Sequence, residues 1–465
     1  MEPLTHSNSL LAAWQRTRAV RGDSPAIFSP AGEILRTFAD IEAESAAIED
    51  MIGDFPAGSV VVVQIGNSEY WPALFVALRW RNLIPLPVDR HVHPEELGDV
   101  LRICGAAAVT TVRAGRPYIE KLPGPPRRHD CDFLKLTSGT TSTPRLVRFH
   151  SGQLVADCEN ICETMGITDE DVNFGVIPFS HSYGFSNLVT PLICRGIAMV
   201  ASEDRMPRAI LDGLLRTGAT VFPATPVIYD KLAALSGIAE LPRLRLCISA
   251  GAPLRMAVAA AFQRSFGKKI HTFYGSSECG GIGYDASDVV LQGEGYVGRP
   301  MKGVEVIPHS GQGAQRITVR GPAVADGYFP DEGASVLGCG QFVPGDLIRW
   351  TKEGMYLEGR STDTINIAGR KLNPGEVEAR IASFPGVRQI VVFGIPSSLR
   401  GEEPIACVAG EGVDPAALRR FCLEQLSKWQ APRDFWFVPE IPVNDRGKIS
   451  RRELSANYLQ TKNRS

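Results

Sequence analysis

The sequence has no excess of either charge, because 49 Lys and Arg residues are balanced by 51 Asp and Glu residues and the net charge is −2. We therefore expect neither nucleic acid nor an anionic membrane surface as the main partner. No stretch approaches the roughly 20 apolar residues that a membrane span requires. The N-terminus has no basic flank before its short apolar patch, so we predict no signal peptide.

Cysteine spacing typical of a disulfide framework or a metal centre is also missing. The ten cysteines are scattered over 465 residues. In a long chain without an export signal they are predicted to be reduced core thiols, and the protein to be cytoplasmic. His91 and His93 have no Cys or acid at supporting spacing, so we predict no metal site there. The length favours two or three domains.

Strand-like and helix-like runs alternate between residues 60 and 273. The apolar run at 60–65 is typical of a strand buried on both faces. It is followed by a helical run to Trp80, for which Ser68 is the predicted cap. The two prolines at 84–88 favour an edge strand. Strands that alternate with helices predict parallel-rich sheets covered by helices, with ligands at the carboxyl ends of the strands.

The pattern changes after residue 273. Residues 304–356 are typical of short strands joined by turns, and the chain from Glu376 is typical of a compact α+β unit. We therefore predict an α/β fold. A large N-terminal domain (1–361) has parallel-rich sheets flanked by helices and a β-rich subdomain, and a small α+β C-terminal domain covers 362–465.

The most unusual stretch is Phe133 to Phe149, in which two apolar runs flank a loop with six hydroxyls, one glycine, no acid and one cation. Hydroxyls and successive backbone N–H groups suit a polyphosphate. Gly139 permits close approach of the backbone, and Arg145 can neutralise phosphate oxygens. The loop is not a GxxxxGK[ST] motif. A solvated Ser/Thr-rich hairpin is the alternative that spacing alone leaves open.

Other segments carry weaker chemical signals. Residues 274–278 (YGSSE) follow a predicted strand that ends at Phe273; the aromatic could stack on a base, and Glu278 is a hard oxygen ligand suited to Mg²⁺. Asp346 could accept two hydrogen bonds from a ribose diol. The alternative for both is an ordinary turn. Lys448 follows a strong turn cluster and precedes a predicted capping box at 450–453, although a lysine by itself is usually solvated surface.

The order and spacing of these motifs are more specific than any one of them. LTSGTTSTPR, YGSSE, GD, GR and the GK of PVNDRGKISRREL resemble the adenylate-forming (AMP-binding) superfamily over nearly the whole chain, from about residue 60 to 454. The resemblance implies a large N-terminal domain and a small mobile C-terminal one. It also implies activation of a carboxylic acid by ATP and Mg²⁺ as acyl-AMP, with release of pyrophosphate and transfer to a thiol.

The resemblance assigns roles to individual residues. The catalytic residues would be Lys448, Glu278 and Ser277, with Glu278 and Thr140 as metal ligands. ATP would contact Thr137, Ser138, Gly139, Thr140, Thr141, Arg145, Gly251, Ala252, Pro253, Tyr274, Gly275, Ser276, Asp346 and Arg360. The acid pocket would be formed by His181, Tyr183, Phe185, Phe222 and Ala224, the thiol channel by Gly369, Arg370 and Lys371, and the hinge by Thr362.

This sequence departs from the family pattern at the loop positions Ser142, Arg145 and Leu146, at Ser277, and at Thr362. Residues 179–183 contain no carboxylate, so an α-amino acid is not the expected substrate, and fatty and aromatic acids stay open. Coenzyme A is the favoured thiol, with Arg370 and Lys371 at its entrance. A carrier protein is the alternative acceptor, and a non-catalytic nucleotide- or acyl-binding protein of the same fold is the alternative to an enzyme.

Overall fold

The computed structural model describes residues 9–92, 94–137, 145–235, 240–310, 313–330, 336–360, 363, 365–367, 370–397, 401–443 and 449–462. No helix within these residues combines the length and apolarity that a membrane crossing requires. Close packing divides the chain into two compact units. Unit 1 comprises Met1–Ile307 and Thr318–Val343, and unit 2 comprises Pro308–Ile317 and Pro344–Ser465. The predicted boundary at residue 361 and the mobility of the C-terminal domain stay predictions.

The described helices have the following bounds: α1 Ser9–Arg21, α2 Phe38–Met51, α3 Trp71–Trp80, α4 Pro94–Cys104, α5 Ser151–Met165, α6 Ser182–Gly184, α7 Thr190–Arg195, α8 Pro207–Thr217, α9 Pro226–Ala233, α10 Met256–Phe266, α11 Pro374–Ile381, α12 Pro415–Gln425 and α13 Arg451–Lys462. A π-helical turn, Phe185–Val189, joins α6 to α7.

The described strands have the following bounds: β1 Pro25–Phe28, β2 Ile34–Thr37, β3 Val60–Val63, β4 Ile84–Pro87, β5 Ala108–Arg113, β6 Arg116–Lys121, β7 Phe133–Thr137, β8 Arg145–Phe149, β9 Val172–Gly175, β10 Ala198–Ala201, β11 Val221–Ala224, β12 Leu246–Ser249, β13 Ile270–Ser276, β14 Gly280–Tyr284, β15 Tyr296–Pro300, β16 Glu305–Pro308, β17 Gln315–Arg320, β18 Gly327–Phe329, β19 Leu337–Gly338, β20 Gln341–Phe342, β21 Asp346–Trp350, β22 Met355–Arg360, β23 Ile365–Ile367, β24 Arg370–Leu372, β25 Val387–Ser397, β26 Gly401–Gly410 and β27 Asp434–Phe437. The predicted mixed α/β class is confirmed.

The largest sheet of unit 1 contains the strand order β15-β14-β13-β12-β11-β9-β10-β1-β2. Its strands from β13 to β1 are parallel, as the alternation of strands and helices predicts. After β9 the chain adds β10 on one side and then β11 on the other, so the order reverses there. The carboxyl ends at such a reversal form the crevice in which α/β proteins bind ligands.

Two smaller sheets complete unit 1, with the orders β4-β3-β5-β6 and β18-β8-β7. All four valines of β3 are buried, as the apolar run predicts, and the proline-containing β4 is an edge strand of its sheet. One face of the β18-β8-β7 sheet packs against β3 and β4 in a shared apolar core that includes Leu134 and Leu146. Its opposite face is also largely buried, and of its described residues only Thr137, Arg145 and Tyr328 are partly exposed there.

Two sequence-based boundaries need correction. The helix predicted from Ser68 begins at Trp71, because Pro72 lies in its first turn and the Ser68 hydroxyl instead accepts a bond from the Tyr70 N–H. Strand β13 continues through Ser276, so Tyr274 to Ser276 lie within it rather than after it. Residues before 60 belong to unit 1, since Trp14 of α1 is fully buried and β1 pairs with β10.

Unit 2 contains a sheet in which β24-β23-β26-β25 are neighbours and β27 lies beside β26. Helix α11 packs its Val377 and Ile381 into one core with Val392, as the predicted α+β unit requires. Arg451, at the start of α13, pairs with Asp363 at 2.6 Å and with Glu378 at 2.8 Å. One bond of the predicted capping box is present, because the Glu453 N–H donates to Ser450 Oγ at 3.3 Å; the reciprocal bond stays a prediction.

Candidate functional site

The β18-β8-β7 sheet presents two faces of opposite character, because alternate residues of a strand point to opposite sides. Register pairs Thr137 with Arg145, Lys135 with Val147, and Val147 with Tyr328. We call these five residues the site face. The intervening residues Leu134, Leu136, Leu146 and Phe329 form the core face, which packs on the β3 sheet. The two predicted ends of the phosphate loop, Thr137 and Arg145, therefore lie on the polar side.

Glu278 contacts the site face through Tyr328. The Tyr328 hydroxyl donates to Glu278 Oε1 at 3.0 Å, and the Arg145 guanidinium lies 5.8 Å from the centroid of the same ring. The Thr137 hydroxyl donates to the Arg145 carbonyl at 3.1 Å, which closes the end of the hairpin. Residues separated by more than a hundred positions thus bring a cation and a carboxylate to one aromatic ring.

The carboxylate of Asp157, on α5, binds the turn that carries Glu278. Asp157 Oδ1 accepts from the Gly281 N–H at 3.0 Å, and Oδ2 accepts from the Ser186 hydroxyl at 2.6 Å. A Cβ at Gly280 would come within 2.0 Å of the Asp157 carboxylate, and its φ is +69°. Only glycine fits both the space and the backbone conformation at position 280. The close approach of the Asp157 carboxylate therefore depends on Gly280.

Lys135 is a buried cation that sequence reasoning missed. It is 4% exposed, and its Nζ lies 4.5 Å from the centroid of the Phe149 ring. Burial lowers the pKa of Lys135, and the carboxylates of Asp157 and Glu278 oppose that shift. The alternation in Phe133-Leu134-Lys135-Leu136-Thr137 was the available signal, because it puts Lys135 on the same side as Thr137.

An ion chain ties β18 to the rest of unit 1. The buried Arg79 pairs with Asp132, Asp132 Oδ2 lies 3.8 Å from His150 Nδ1, and His150 Nε2 lies 2.9 Å from Asp326 Oδ2. Interactions with Asp132 and Asp326 raise the pKa of His150 to about 10, so the imidazole is charged at neutral pH. Asp326 immediately precedes β18 and therefore holds the strand that carries Tyr328.

A second group of predicted residues lies at the carboxyl ends of the parallel strands. The Ser182 hydroxyl donates to Ser277 Oγ at 2.9 Å, which connects the predicted acid pocket to the YGSSE turn. His181 Nε2 lies 3.8 Å from Asp89 Oδ2. A Cβ at Gly184 would come within 2.1 Å of the Pro178 carbonyl oxygen, so the segment needs glycine there. The structure thus brings Ser277 and His181 to one edge of the sheet.

The Tyr183 side chain reaches the neighbouring strands β11 and β12. Its hydroxyl donates to the Ile248 carbonyl at 3.0 Å and approaches the Ala224 carbonyl at 3.4 Å, and burial raises its pKa well above the usual value. Gly251, Ala252 and Pro253 are exposed in the loop after β12, where the φ of Gly251 is +88°. Tyr274 is 7% exposed on β13.

Two predicted pocket residues are core residues in the structure. Phe185 is 1% exposed and stacks on Phe133 at a centroid distance of 4.4 Å. Phe222 is 0% exposed and packs edge-on against Phe174 and Tyr229. Both rings pack against other aromatic side chains here, and their assignment to the acid pocket stays a prediction.

Asp346 and Arg360 are directly opposite each other on β21 and β22 of unit 2. Asp346 is 7% exposed. The backbones of Arg370 and Lys371 lie in β24. The structure does not describe the side chains of Arg360, Arg370 and Lys371. The remaining predicted residues are outside the described residues altogether: Ser138, Gly139, Thr140, Thr141, Thr362, Gly369 and Lys448. Their roles stay predictions.

Asn67 is another residue that sequence reasoning missed. Its Nδ2 donates to the carbonyls of Ser202 at 2.8 Å and Ile177 at 3.1 Å, and its Oδ1 accepts from the Phe179 N–H at 2.8 Å. The side chain is 8% exposed, and these bonds satisfy it while joining the loop after β3 to the segment that leads to His181. A polar residue after a strand gives no sequence signal of such a partner.

The profile of the AMP-binding enzyme family matches residues 111–329, and that of the AMP-binding enzyme C-terminal domain matches residues 376–448. The chain belongs to the adenylate-forming superfamily. Both matches include motifs on which the sequence-based resemblance depends: the phosphate loop and YGSSE in the first, and Lys448 in the second. The resemblance is thereby confirmed.

Several curated relatives of this chain are CoA ligases. The long-chain-fatty-acid–CoA ligase of Bacillus subtilis is 29% identical over 344 residues, which cover 70% of this chain but only 61% of that enzyme. The sulfoacetate–CoA ligase of Cupriavidus necator is 25% identical over 494 residues, with 96% of this chain and 97% of that one covered. ATP-bound MatB from Rhodopseudomonas palustris has the same fold, with a TM-score of 0.85, 23% identity and coverage of 97% and 99%.

Proposed function

We propose that the protein is an AMP-forming acid–thiol ligase that activates a carboxylic acid with ATP and transfers the acyl group to coenzyme A. In the first step the acid's carboxylate attacks the α-phosphorus of ATP, and the bond to the bridging oxygen of pyrophosphate breaks. In the second step a thiol displaces AMP from the acyl adenylate. Membership of the superfamily supports the proposal, as do the names of the relatives, which are CoA ligases.

One observation carries the proposal: Arg145, at the end of the predicted phosphate loop, and Glu278, the predicted metal ligand, both contact one tyrosine, Tyr328. A nucleotide-dependent ligase needs a cation for the phosphate oxygens and a carboxylate that would hold a divalent metal ion. A solvated Ser/Thr-rich hairpin would not require a distant acid at its base. The convergence therefore favours a polyphosphate site.

The donor set suits Mg²⁺, which in nucleotide sites is held by one or two carboxylates together with phosphate oxygens and water. Glu278 would hold the ion with Thr140, and the bound ion would offset the charge on pyrophosphate as it leaves. Tyr328 fixes Oε1 of Glu278, which leaves the other carboxylate oxygen for the metal. Arg145 would bind phosphate oxygens, and Ser277 would contact the α-phosphate beside Ser182.

The remaining roles follow the family resemblance. Asp346, opposite Arg360 on its hairpin, would bind the ribose hydroxyls. Lys448 would lie between the carboxylate and the α-phosphate, because both are anions whose repulsion must be offset as they approach. A rotation about Thr362 would then bring the segment of Gly369, Arg370 and Lys371 to the thiol channel.

We propose that His181, Tyr183 and Ala224, which lie at the carboxyl ends of the parallel strands, line the acid pocket with Phe185 and Phe222. The Tyr183 hydroxyl bonds to carbonyls of both β11 and β12. We propose a cytoplasmic location, because the ten cysteines are all free and most are buried. Burial raises the pKa of Cys104 and of Cys247 to about 12, so these thiols are poor nucleophiles.

The experiment that tests the function is acid-dependent ATP–pyrophosphate exchange over a panel of short, long-chain and aromatic carboxylic acids. We expect exchange with at least one acid and, with coenzyme A added, formation of the corresponding thioester. If exchange occurs but the acyl group is transferred to a carrier protein and not to coenzyme A, the carrier protein is the acceptor. No exchange with any acid would reject the enzyme in favour of a binding protein.

Lys448→Ala separates the two half-reactions. We expect a loss of exchange of at least a hundredfold, because one preorganised cation removed from a transition state costs roughly 10²–10³ in rate. Thioester formation from a supplied acyl adenylate should stay within a few-fold of the wild type. Lys428→Ala, at another lysine of unit 2, is the matched control. Equal loss of both half-reactions would contradict a role for Lys448 in adenylation alone.

A further inference from the structure

Tyr328 touches none of the reacting groups, yet it contacts both Glu278 and Arg145. Its hydroxyl donates to Glu278 Oε1 at 3.0 Å, and its ring lies beneath the Arg145 guanidinium at 5.8 Å. Val147 lies opposite Tyr328 across β8 and β18, and Arg145 is two residues from Val147 on the same face. The ring and the guanidinium are thus diagonal neighbours within reach of each other.

The backbone around Tyr328 is held from several directions. Phe329 points to the core face, where its ring packs edge-on against His129 at 4.6 Å. Asp326 pairs with His150 at 2.9 Å and accepts from Gln153 Nε2 at 2.8 Å. Tyr328 therefore sits on a strand fixed at both ends and has little freedom to move away from Glu278.

Glu278 is joined to this segment at two points. Besides the hydroxyl contact, its carbonyl accepts from the Ala325 N–H at 2.9 Å. An ionised carboxylate has about four lone-pair positions on its two oxygens. The hydroxyl uses one position on Oε1 and thereby fixes the rotation of the carboxylate, which aims Oε2 in one direction. Partners of this kind orient a metal ligand without touching the metal.

We propose that Tyr328 is a positioning residue that orients the metal-binding carboxylate of Glu278 and couples it to Arg145 at the end of the phosphate loop. The inference rests on the proposed function for the identity of the ligand, a nucleoside triphosphate with its divalent cation. The hydroxyl acts on the metal through Glu278, and the ring acts on phosphate through Arg145. The two halves of the side chain therefore have separable effects.

The test compares Tyr328→Phe and Tyr328→Leu by calorimetric titration with Mn²⁺–ATP and, separately, with ATP in EDTA. Tyr328→Phe should weaken binding of Mn²⁺–ATP by about tenfold or more, the usual cost of removing a partner of a metal ligand. Its affinity for metal-free ATP should stay within twofold of the wild type. Tyr328→Leu should weaken both, because it also removes the ring beneath Arg145.

Tyr118→Phe is the matched control, since Tyr118 is 42% exposed and also carries an arginine, Arg113, over its ring at 3.7 Å. It should bind both ligands like the wild type. Glu278→Gln and the double variant complete a cycle. If Tyr328 acts through Glu278, adding Tyr328→Phe to Glu278→Gln should weaken Mn²⁺–ATP binding by less than a further twofold. Losses of affinity that add in full in the double variant would overturn the proposal.

Two further outcomes would overturn it: wild-type Mn²⁺–ATP affinity in Tyr328→Phe, or equal loss for Mn²⁺–ATP and metal-free ATP. Failure of that variant to fold would also do so, because loss of a hydroxyl that only orients a carboxylate should not unfold unit 1. Wild-type protein that binds Mn²⁺–ATP but catalyses no exchange would reject the proposed function and leave the role of Tyr328 standing. Wild-type protein that binds neither form would reject both.

Discussion

The site face and the core face of the β18-β8-β7 sheet are built from the same three strands but have opposite environments. Lys135, Thr137, Arg145, Val147 and Tyr328 lie on one side, where Tyr328 bonds to Glu278. Leu134, Leu136, Leu146 and Phe329 lie on the other side and pack on the β3 sheet. Neighbouring residues therefore have different contacts: Arg145 lies over the Tyr328 ring, whereas Leu146 packs in the apolar core. The bulk of Leu146, unusual for the family, is accounted for by the core face, where it is 0% exposed.

Strands rather than a helix flank the predicted phosphate loop, because β7 ends at Thr137 and β8 begins at Arg145. In a GxxxxGK[ST] loop, a helix N-terminus follows the glycines. Here strands leave the loop on both sides, so the apolar core face anchors its ends and the site face carries its cation. Packing and ligand binding are separated by the two-residue period of the strand, and substitutions on the two faces should have separable effects.

The largest expected effect is on the core face. Leu146→Ala should lower the free energy of unfolding by about 2–5 kcal/mol, because it removes a fully buried side chain and leaves a cavity. The ATP affinity of the folded protein should change less than twofold. Chemical denaturation and calorimetric titration measure the two quantities, and Leu215→Ala, at a position 39% exposed, is the control. A large change in affinity at full stability would contradict the division between faces.

The next effect concerns His150, which pairs with Asp132 and with Asp326, the residue before β18. Its folded-state pKa of about 10 lies above the ordinary value of 6.5, so its stabilisation is complete below pH 6.5 and is lost as pH rises through 10. The wild type should exceed His150→Gln in stability by on the order of 2 kcal/mol at pH 6, since partial exposure reduces what the shift implies.

The difference between wild type and His150→Gln should shrink steadily toward pH 10. Urea denaturation at several pH values would measure it, and His309→Gln, a histidine of unit 2, would serve as the control. A difference that is constant with pH would mean that His150 contributes through packing rather than through its charge. A difference that grows with pH would contradict the ion chain.

The smallest effect is on the site face itself. Thr137→Val keeps the shape of the side chain but removes the hydroxyl that donates to the Arg145 carbonyl. We expect KM for ATP to rise about tenfold, the value of one hydrogen bond of ~1.4 kcal/mol, while KM for the acid is unchanged. Steady-state kinetics with Thr111→Val, a half-buried threonine of β5, as control would test this. A rise in KM for the acid alone would place Thr137 in a different subsite.

Several features of this protein are present in the sequence by itself. Alternation from Phe133 to Thr137 assigns those residues to opposite faces, because the period of a strand is a local property of the backbone. Continuous valines mark β3 as buried, and Pro94 and Gly105 bound α4 where the structure has it. The order of the motifs identifies the superfamily, because each motif meets a requirement of nucleotide chemistry at one stretch of chain.

Other features depend on which distant segments the fold brings together. Nothing near Tyr328 in the chain indicates that its hydroxyl meets Glu278, fifty residues earlier, or that His150 meets Asp326. Phe185 and Phe222 are aromatic neighbours of predicted pocket residues, and only packing decides that their rings turn into the core. Side-chain character is encoded locally, whereas partners are set by strand order and by the close packing of the interior.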